Sequence, residues 1–362
     1  MTPPTHLDNL TAPPVPPGVS TMRAVTQDRY GATADDVLRV TQVPRPTIGD
    51  GEVLLRVHAA AVDRGTWHIM AGLPYLLRLV GYGLRAPKDR VRGREVAGVV
   101  EQVGPAVTRL QVGDEVFGIA EGCFAEYAPA REDKLARTPA GVSFEHAAAT
   151  TISALTALQA VRDRGHVRRG QQVLIIGASG GVGTFAVQIA RSFGADVTAM
   201  CSTGKVELVR ALGADHVIDY TLEDIGTGTG GGRRYDVILD IGGHRPLRRL
   251  RRALTPRGTL VIVGSETGGR WLGGFDRTIR ALLLSPFIGQ TMAPLVNSEN
   301  AADLVVLAEL LAVGTVTPVI DRSYPLEEAA AAIARMQDGQ ARGKLVVLLP
   351  LHSRNLRSRS TP

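Results

Sequence analysis

Residues 172–219 read QVLIIGASGGVGTFAVQIARSFGADVTAMCSTGKVELVRALGADHVID, and the reading of this stretch decides the fold. Val173 to Ile176 is short, aliphatic and rich in β-branching, the composition of a strand buried in a parallel sheet. Gly177-Ala178-Ser179-Gly180-Gly181-Val182-Gly183 follows. Its glycines stand where the chain reverses tightly and where a pyrophosphate must approach the backbone, and Gly183 lets the next helix close on the strand. That helix, marked by Phe185, Val187, Ile189, Ala190 and Phe193, turns its unpaired first amides and the positive end of its dipole toward the phosphates. Val197 to Met200 then reads as a second strand. A glycine cluster alone marks any loop. The strand before it, and the helix and strand after it, supply the context of a dinucleotide-binding unit.

Working outward, a chain of 362 residues with 44% hydrophobic composition can bury a large core and is expected to hold two domains. No apolar run is long enough to span a bilayer, and the first residues lack the basic-then-apolar pattern of an export signal. Cys123 and Cys201 are too few for a disulfide framework or a cysteine zinc site, so a reducing cytoplasm is the expected compartment. The net charge of +6 raises the question of a nucleic-acid partner. Its densest segment, Arg245 to Arg252, alternates with Leu247, Leu250 and Leu254 at helical spacing, which describes a helix with a solvated arginine face instead.

Residues 1–21, rich in proline, read as an extended or disordered arm. Residues 22–145 read as a β-rich domain. Its expected strands begin at Met22 and continue with Val37–Val40, Glu52–Ala61, Glu95–Val103, Asp114–Ile119 and Ala125–Ala128. From His146 the period becomes helical, and residues 146–298 then alternate strands with helices. Val173–Ile176, Val197–Met200, His216–Ile218, Asp236–Asp240 and Thr259–Val263 are the strands; Gly183–Phe193, Val206–Leu212 and Leu247–Leu254 are the helices. This alternation predicts a doubly wound parallel sheet, with Thr291–Val296 as a sixth strand and Gly226–Gly232 as a flexible loop. Residues 299–350 hold a helix at Ala301–Ala312, a strand at Val316–Ile320, a helix at Leu326–Met336 and a strand at Leu345–Leu349, expected to return to the β-rich domain. Residues 351–362 read as a disordered tail.

With these motifs in hand the chain resembles the medium-chain dehydrogenase/reductase superfamily, in particular its zinc-free, quinone-oxidoreductase-like branch. The resemblance covers roughly residues 22–350 and rests on Gly49-Asp50-Gly51-Glu52-Val53, Gly93-Arg94-Glu95-Val96-Ala97-Gly98, Val112-Gly113-Asp114-Glu115-Val116, the Gly177–Gly183 turn, Leu212-Gly213-Ala214-Asp215 and Arg342-Gly343-Lys344. It implies an α/β fold in which a GroES-like β domain is interrupted by a Rossmann domain, with the active site in the cleft between them. In the family's zinc enzymes a cysteine lies near the position of Asp63 and a histidine in the turn occupied by Arg94. A guanidinium cannot ligate, and Asp63 with His68 falls short of the three protein ligands of a catalytic zinc, so no metal is expected.

Without a Lewis acid, hydride transfer from a reduced nicotinamide to an already electrophilic acceptor is the expected chemistry. The end of the second Rossmann strand carries Cys201-Ser202-Thr203-Gly204-Lys205 where an NAD-selective site would place a carboxylate. Hydroxyls and an ammonium suit a ribose phosphate, and the similar branch uses a lysine here and a tyrosine corresponding to Tyr220, so NADPH is the expected cofactor. Ala178, Ser179, Gly180, Gly181, Val182, Gly183, Ser202, Lys205, Tyr220, Gly264 and Lys344 are the expected cofactor-binding residues. Lys344 either approaches the nicotinamide or forms a surface ion pair.

The resemblance implies a tyrosine shortly after the glycine corresponding to Gly72; Tyr75 stands near that place, displaced by Leu73-Pro74, and either donates a proton or hydrogen bond to the substrate or simply walls the cleft. Asp63 stands where the quinone reductases carry an asparagine; Trp67 reads as a pocket wall and His68 as a satisfied or exposed histidine. The expectation is a cytoplasmic, zinc-independent, NADPH-dependent reductase of quinones or α,β-unsaturated carbonyls. The resemblance implies a homodimer, without nucleic-acid or membrane partners. An enoyl-thioester reductase and a non-catalytic NADPH-binding regulatory protein are the alternatives.

Overall fold

The computed structural model describes residues 20–225, 232–264, 269–285 and 288–350. The expected arm up to residue 19, the tail and nearly all of the glycine-rich 226–232 loop lie outside the described residues, and Thr21, assigned to the arm, opens the first strand. Two large sheets organise the chain. The first is built from β3 and its neighbours, and β1 (Thr21–Gln27) and β2 (Leu38–Pro44) form an antiparallel pair beside it. Its remaining elements are β3 (Glu52–Val62), β4 (Glu95–Val103), β5 (Glu115–Ile119), β6 (Tyr127–Arg131) and β7 (Leu135–Arg137), with helices α1 (Ala34–Val37) and α2 (Arg64–Ala71) in the connections. The expected strand at Val37–Val40 is displaced: Val37 closes α1 and the extended chain runs from Leu38 to Pro44.

α3 (Phe144–Gln159) crosses to the second sheet, a layer of β8 (Gln172–Ile176), β9 (Asp196–Cys201), β10 (His216–Asp219), β11 (Tyr235–Asp240), β12 (Leu254–Ile262) and β13 (Thr291–Pro294). All pairings in it are parallel, in the order β10-β9-β8-β11-β12-β13, so the order reverses at β8 and leaves a crevice between β8 and β11. Its helices are α4 (Gly181–Ser192), α5 (Val206–Ala211), α6 (Leu247–Ala253) and α7 (Phe275–Leu284). Burial explains the strand composition: Val173, Leu174 and Ile175 are each 0% exposed because helices cover both faces. α6 buries Leu250 and leaves Arg248, Arg249 and Arg252 in solvent.

The chain then returns through α8 (Ala301–Ala312), β14 (Ile320–Pro325), α9 (Ala329–Gln337) and β15 (Lys344–Leu348). The first sheet runs β14-β15-β3-β4-β5-β7, with β6 also on β3, so β15 is inserted as the antiparallel neighbour of β3. β14 begins where the expected Val316–Ile320 strand ends. Val316 is buried, but Pro318 has no N–H to donate, and the ladder forms only after it. The helix expected over Leu326–Met336 starts as a 3-10 turn at Leu326–Glu328.

Candidate active site

The two sheets face each other across a cleft of about 930 Å³. One wall is made by the carboxyl ends of β8, β9, β11 and β12, the other by the end of β3, α2 and Arg94, and the return segment Ala341–Lys344 closes the floor. Ligands of open parallel sheets bind at this edge because loops there are free to turn side chains and amides toward one crevice.

The glycine turn is shaped by backbone contact. Gly177 has φ +82°, a left-handed conformation that side chains disfavour. A Cβ on Gly183 would lie 2.1 Å from the Gly177 carbonyl oxygen and 2.7 Å from the Ala178 Cα, so α4 can approach the turn this closely only with glycine there. Ser179, Gly180, Gly181 and Val182 line the cleft, whereas Ala178 and Gly183 stand behind it as packing residues. The first amides of α4 have no intrahelical acceptor, which is the arrangement that receives a diphosphate. The turn is also tied to the return segment: Gly343 N donates to Ser179 O at 2.9 Å.

At the end of β9, Ser202 precedes a 3-10 turn, Thr203–Lys205, and does not itself line the cleft. Lys205 and Tyr220 do. The Lys205 ammonium donates to the carbonyls of Gly339 at 3.0 Å and Ala341 at 2.8 Å. Burial, and then the Arg342 guanidinium, push its pKa down. Arg342, which motif reading noted without a role, reaches this place from the return segment; its Nη2 lies 3.9 Å from where a Cβ on Gly204 would sit. Two neighbouring cations beside the end of β9, with no carboxylate following that strand, favour an anion there.

At the opposite end, Asp63 lines the cleft and caps α2, its Oδ1 accepting from Thr66 N at 2.6 Å. Gly72, with φ +62°, ends the helix. His68 also lines the cleft; its Nδ1 lies 2.9 Å from Leu73 O, which can only accept, so Nδ1 carries the proton. Arg94 donates from Nε to Glu121 at 3.0 Å and from Nη2 to Glu299 at 2.7 Å. Burial disfavours its charge, but Glu121, Glu299 and Asp63 outweigh burial and raise its pKa. Asn297 donates to Thr156 Oγ1 at 3.0 Å, while its Oδ1 is a buried acceptor without a partner among the described residues.

Beneath the cleft floor Lys344 meets Glu95, with Lys344 at 2% and Glu95 at 0% exposure. Lys344 Nζ also donates to Val62 O at 3.0 Å and Ser153 Oγ at 2.9 Å, so its three protons are all engaged within the protein. The expected surface ion pair is therefore a buried one, because β15 threads between β3 and the glycine turn. Gly264 lines the cleft at the end of β12.

Tyr75 and Trp67, both expected at the cleft, stand elsewhere. The Tyr75 ring packs edge-on against Trp271 at 5.3 Å between centroids, and its amide donates to Arg270 O at 2.7 Å. Trp67 donates from Nε1 to Ala32 O at 3.2 Å and packs on the core of the first sheet. Neither lines the cleft. Sequence reading did not single out Asn297 and Glu299, which enter because they follow β13; position past a strand's carboxyl end was the available signal.

The glycine cradle, the cations past β9 and the orphaned Asn297 acceptor fit a nicotinamide dinucleotide. Comparison with known proteins agrees on the class of cofactor. Residues 49–140 match the family described as "Alcohol dehydrogenase GroES-like domain", and residues 212–347 the family described as "Zinc-binding dehydrogenase". A chloroplast envelope quinone oxidoreductase homolog of Arabidopsis thaliana is 31% identical over 338 residues, covering 90% of this chain and 98% of the relative. The mitochondrial NAD(P)H oxidoreductase RTN4IP1 of Mus musculus is 32% identical, covering 92% of this chain and 93% of the relative. The structure of a quinone oxidoreductase from Coxiella burnetii superposes with a TM-score of 0.78 at 27% identity, over 91% of this chain and 100% of that one. The zinc of the second description finds no matching donor set among the described residues. Among the described residues no group of three or more His, Cys, Asp or Glu side chains could hold a metal ion. A catalytic zinc needs three such ligands, and Arg94 stands between the carboxylates.

Proposed function

The chain belongs to the medium-chain dehydrogenase/reductase superfamily, in its quinone-oxidoreductase-like branch, and is an NAD(P)H-dependent oxidoreductase, and from that premise we propose that it is a zinc-independent, NADPH-dependent reductase of quinones or α,β-unsaturated carbonyls. One observation carries the reading: a single cleft joins the glycine turn and a cationic β9 end to Asp63, His68 and Arg94, where the described residues offer no metal donor set. When bound, NADPH supplies the hydride. Ser179 to Val182 would hold its diphosphate, Lys205 and Tyr220 with the neighbouring Arg342 would hold the ribose phosphate, and Asn297 would accept a hydrogen bond from its carboxamide. The two walls close around the substrate, exclude water and align the acceptor. A quinone or enone suits this site because its conjugation already lowers the barrier that a Lewis acid would otherwise lower. A relative from Solanum lycopersicum, 32% identical over 344 residues, is named a 2-methylene-furan-3-one reductase, which supports the enone half of the reading. The enoyl-thioester alternative required Tyr75 as proton donor, and the placement of Tyr75 against Trp271 does not favour it. The reading includes a reducing compartment, supported by two buried free cysteines, and a homodimer.

The test is NADPH and NADH consumption by purified, chelator-treated protein against quinones, enones, enoyl thioesters and simple aldehydes. Chelator-resistant oxidation of NADPH in preference to NADH, with quinones or enones as acceptors, is expected. Activity that vanishes with the chelator and returns only with zinc would overturn it.

A further inference from the structure

The carbonyl oxygen of an enone or quinone gains negative charge as its conjugated system accepts a hydride, and a fixed positive group aimed at that oxygen lowers the barrier. Dehydrogenases with a catalytic zinc use the metal. This cleft lacks the ligands for one and instead presents a guanidinium.

We infer that Arg94 is a catalytic residue whose Nη1 donates to the substrate carbonyl oxygen and holds the oxyanion formed on reduction. The inference rests on the reductase reading above. Arg94 lines the cleft with its side chain 17% exposed. Glu121 holds Nε and Glu299 holds Nη2, so the planar fork is fixed from two sides. Among the described residues nothing bonds Nη1, and that nitrogen is not among the buried polar atoms without partners; it remains accessible.

Of the three carboxylates around Arg94, Glu121 is 62% exposed, where water screens it, Glu299 is shared with Lys134 at 3.5 Å, and Asp63 has Oδ1 engaged by Thr66 N at 2.6 Å. The backbone preceding Arg94 is equally fixed: Gly93 has φ +97°, and a Cβ there would lie 2.6 Å from Phe124 N. Arg94 lines the same cleft as His68 and Asn297, and its partner Glu299 follows β13 at the carboxyl edge of the parallel sheet, where ligands of such sheets bind.

The reaction balances without a metal. A hydride and its electron pair join the electrophilic carbon, and the displaced π pair moves through the conjugated system onto the carbonyl oxygen beside Arg94. Both electrons come from the reduced nicotinamide, leaving its oxidised form. A proton from solvent then neutralises the enolate, and for a quinone the reduced ring carbon afterwards releases a proton to solvent while the second carbonyl oxygen takes one up, which re-aromatises the ring to the hydroquinone. Arg94 keeps its own proton throughout, since guanidinium does not ionise in this range.

The experiment compares wild type, Arg94→Ala and Arg94→Lys in kcat, NADPH affinity and thermal stability, and titrates each NADP⁺ complex with 4-nitrophenolate as an oxyanion probe. Arg94→Ala is expected to lose about 10²- to 10³-fold in kcat with NADPH affinity unchanged. Arg94→Lys is expected to retain part of the rate, because a point charge replaces an oriented fork. Guanidinium ion added to Arg94→Ala restores part of the rate, and 4-nitrophenolate binds Arg94→Ala about tenfold or more weakly than wild type. A folded Arg94→Ala that binds NADPH and 4-nitrophenolate like wild type and keeps kcat within about threefold would overturn the inference. If wild type reduces no acceptor, the reductase reading fails by itself, and the phenolate titration still decides whether Arg94 holds an oxyanion.

Discussion

Lys344 and Glu95 form a charge pair withdrawn from water, and the geometry shows why it persists. Each ammonium proton has an acceptor, and Glu95 Oε1 accepts from Ser153 N at 3.2 Å. Burial pushes the Glu95 carboxyl up and the Lys344 ammonium opposes that push. Removing one partner strands the other, which for a pair this buried costs about 3–5 kcal/mol. Lys344→Met is therefore expected to destabilise the protein by about that amount in chemical denaturation. Lys344→Met combined with Glu95→Gln should recover part of the loss, because no lone charge is then left inside. Equal destabilisation of the single and double variants would mean that the contacts of the lysine stem, not the charge pairing, carry the effect. The same pair marks the limit of sequence reading at this scale. The Arg342-Gly343-Lys344 motif was visible, but the acceptors Val62, Glu95 and Ser153 come from distant segments, and no local pattern connects them. Asp63 was the opposite case: an aspartate three residues before Thr66, with Gly72 following, is a helix-cap pattern that resemblance to a metal-ligand position obscured.

At the scale of elements, the glycine turn was legible because strand, turn and helix each carried their own period and together left one arrangement. The same contacts predict an asymmetry among its glycines. At Gly180 the nearest atom to an added Cβ is Gly177 O at 3.5 Å, an ordinary contact, while at Gly183 the same oxygen would be 2.1 Å away. Gly183→Ala must push α4 off the turn and is expected to cost about 1–3 kcal/mol and to weaken NADPH binding at least tenfold. Gly180→Ala should leave stability within about 0.5 kcal/mol, as its backbone suits alanine. Denaturation and fluorescence titration of both variants measure this, and equal stability losses would contradict the close-packing account. Elements that were not legible lacked a period. β7 spans three residues, and α7 follows Gly273-Gly274 in a stretch where its amphipathic face was not separated from the surrounding irregular chain. β14 was misplaced because Val316 looks like a strand residue while Pro318 forbids the ladder.

For the molecule as a whole, the parallel sheet ends in β13, which has no further strand beside it among the described residues. An open edge of this kind is a surface that proteins cover or use. α7 packs next to β13 and turns Phe275, Ile279, Leu282 and Leu283 outward, each at least 46% exposed. Their spacing places them along one stripe, while Arg277 and Ala281 face inward. A sheet edge and an apolar stripe side by side are covered together if a second copy docks by a two-fold axis, since each surface then meets itself. The homodimer proposed above is accordingly expected to use β13 and α7. Leu283→Glu places a charge in the stripe, at its most exposed member, without entering the core or the cleft. Sedimentation at micromolar concentration should show a dimer for wild type and a monomer for Leu283→Glu, with both proteins equally folded by circular dichroism. A wild-type monomer would remove the dimer from the proposal. A dimer that survives Leu283→Glu would move the interface away from α7, leaving that apolar stripe to some other partner.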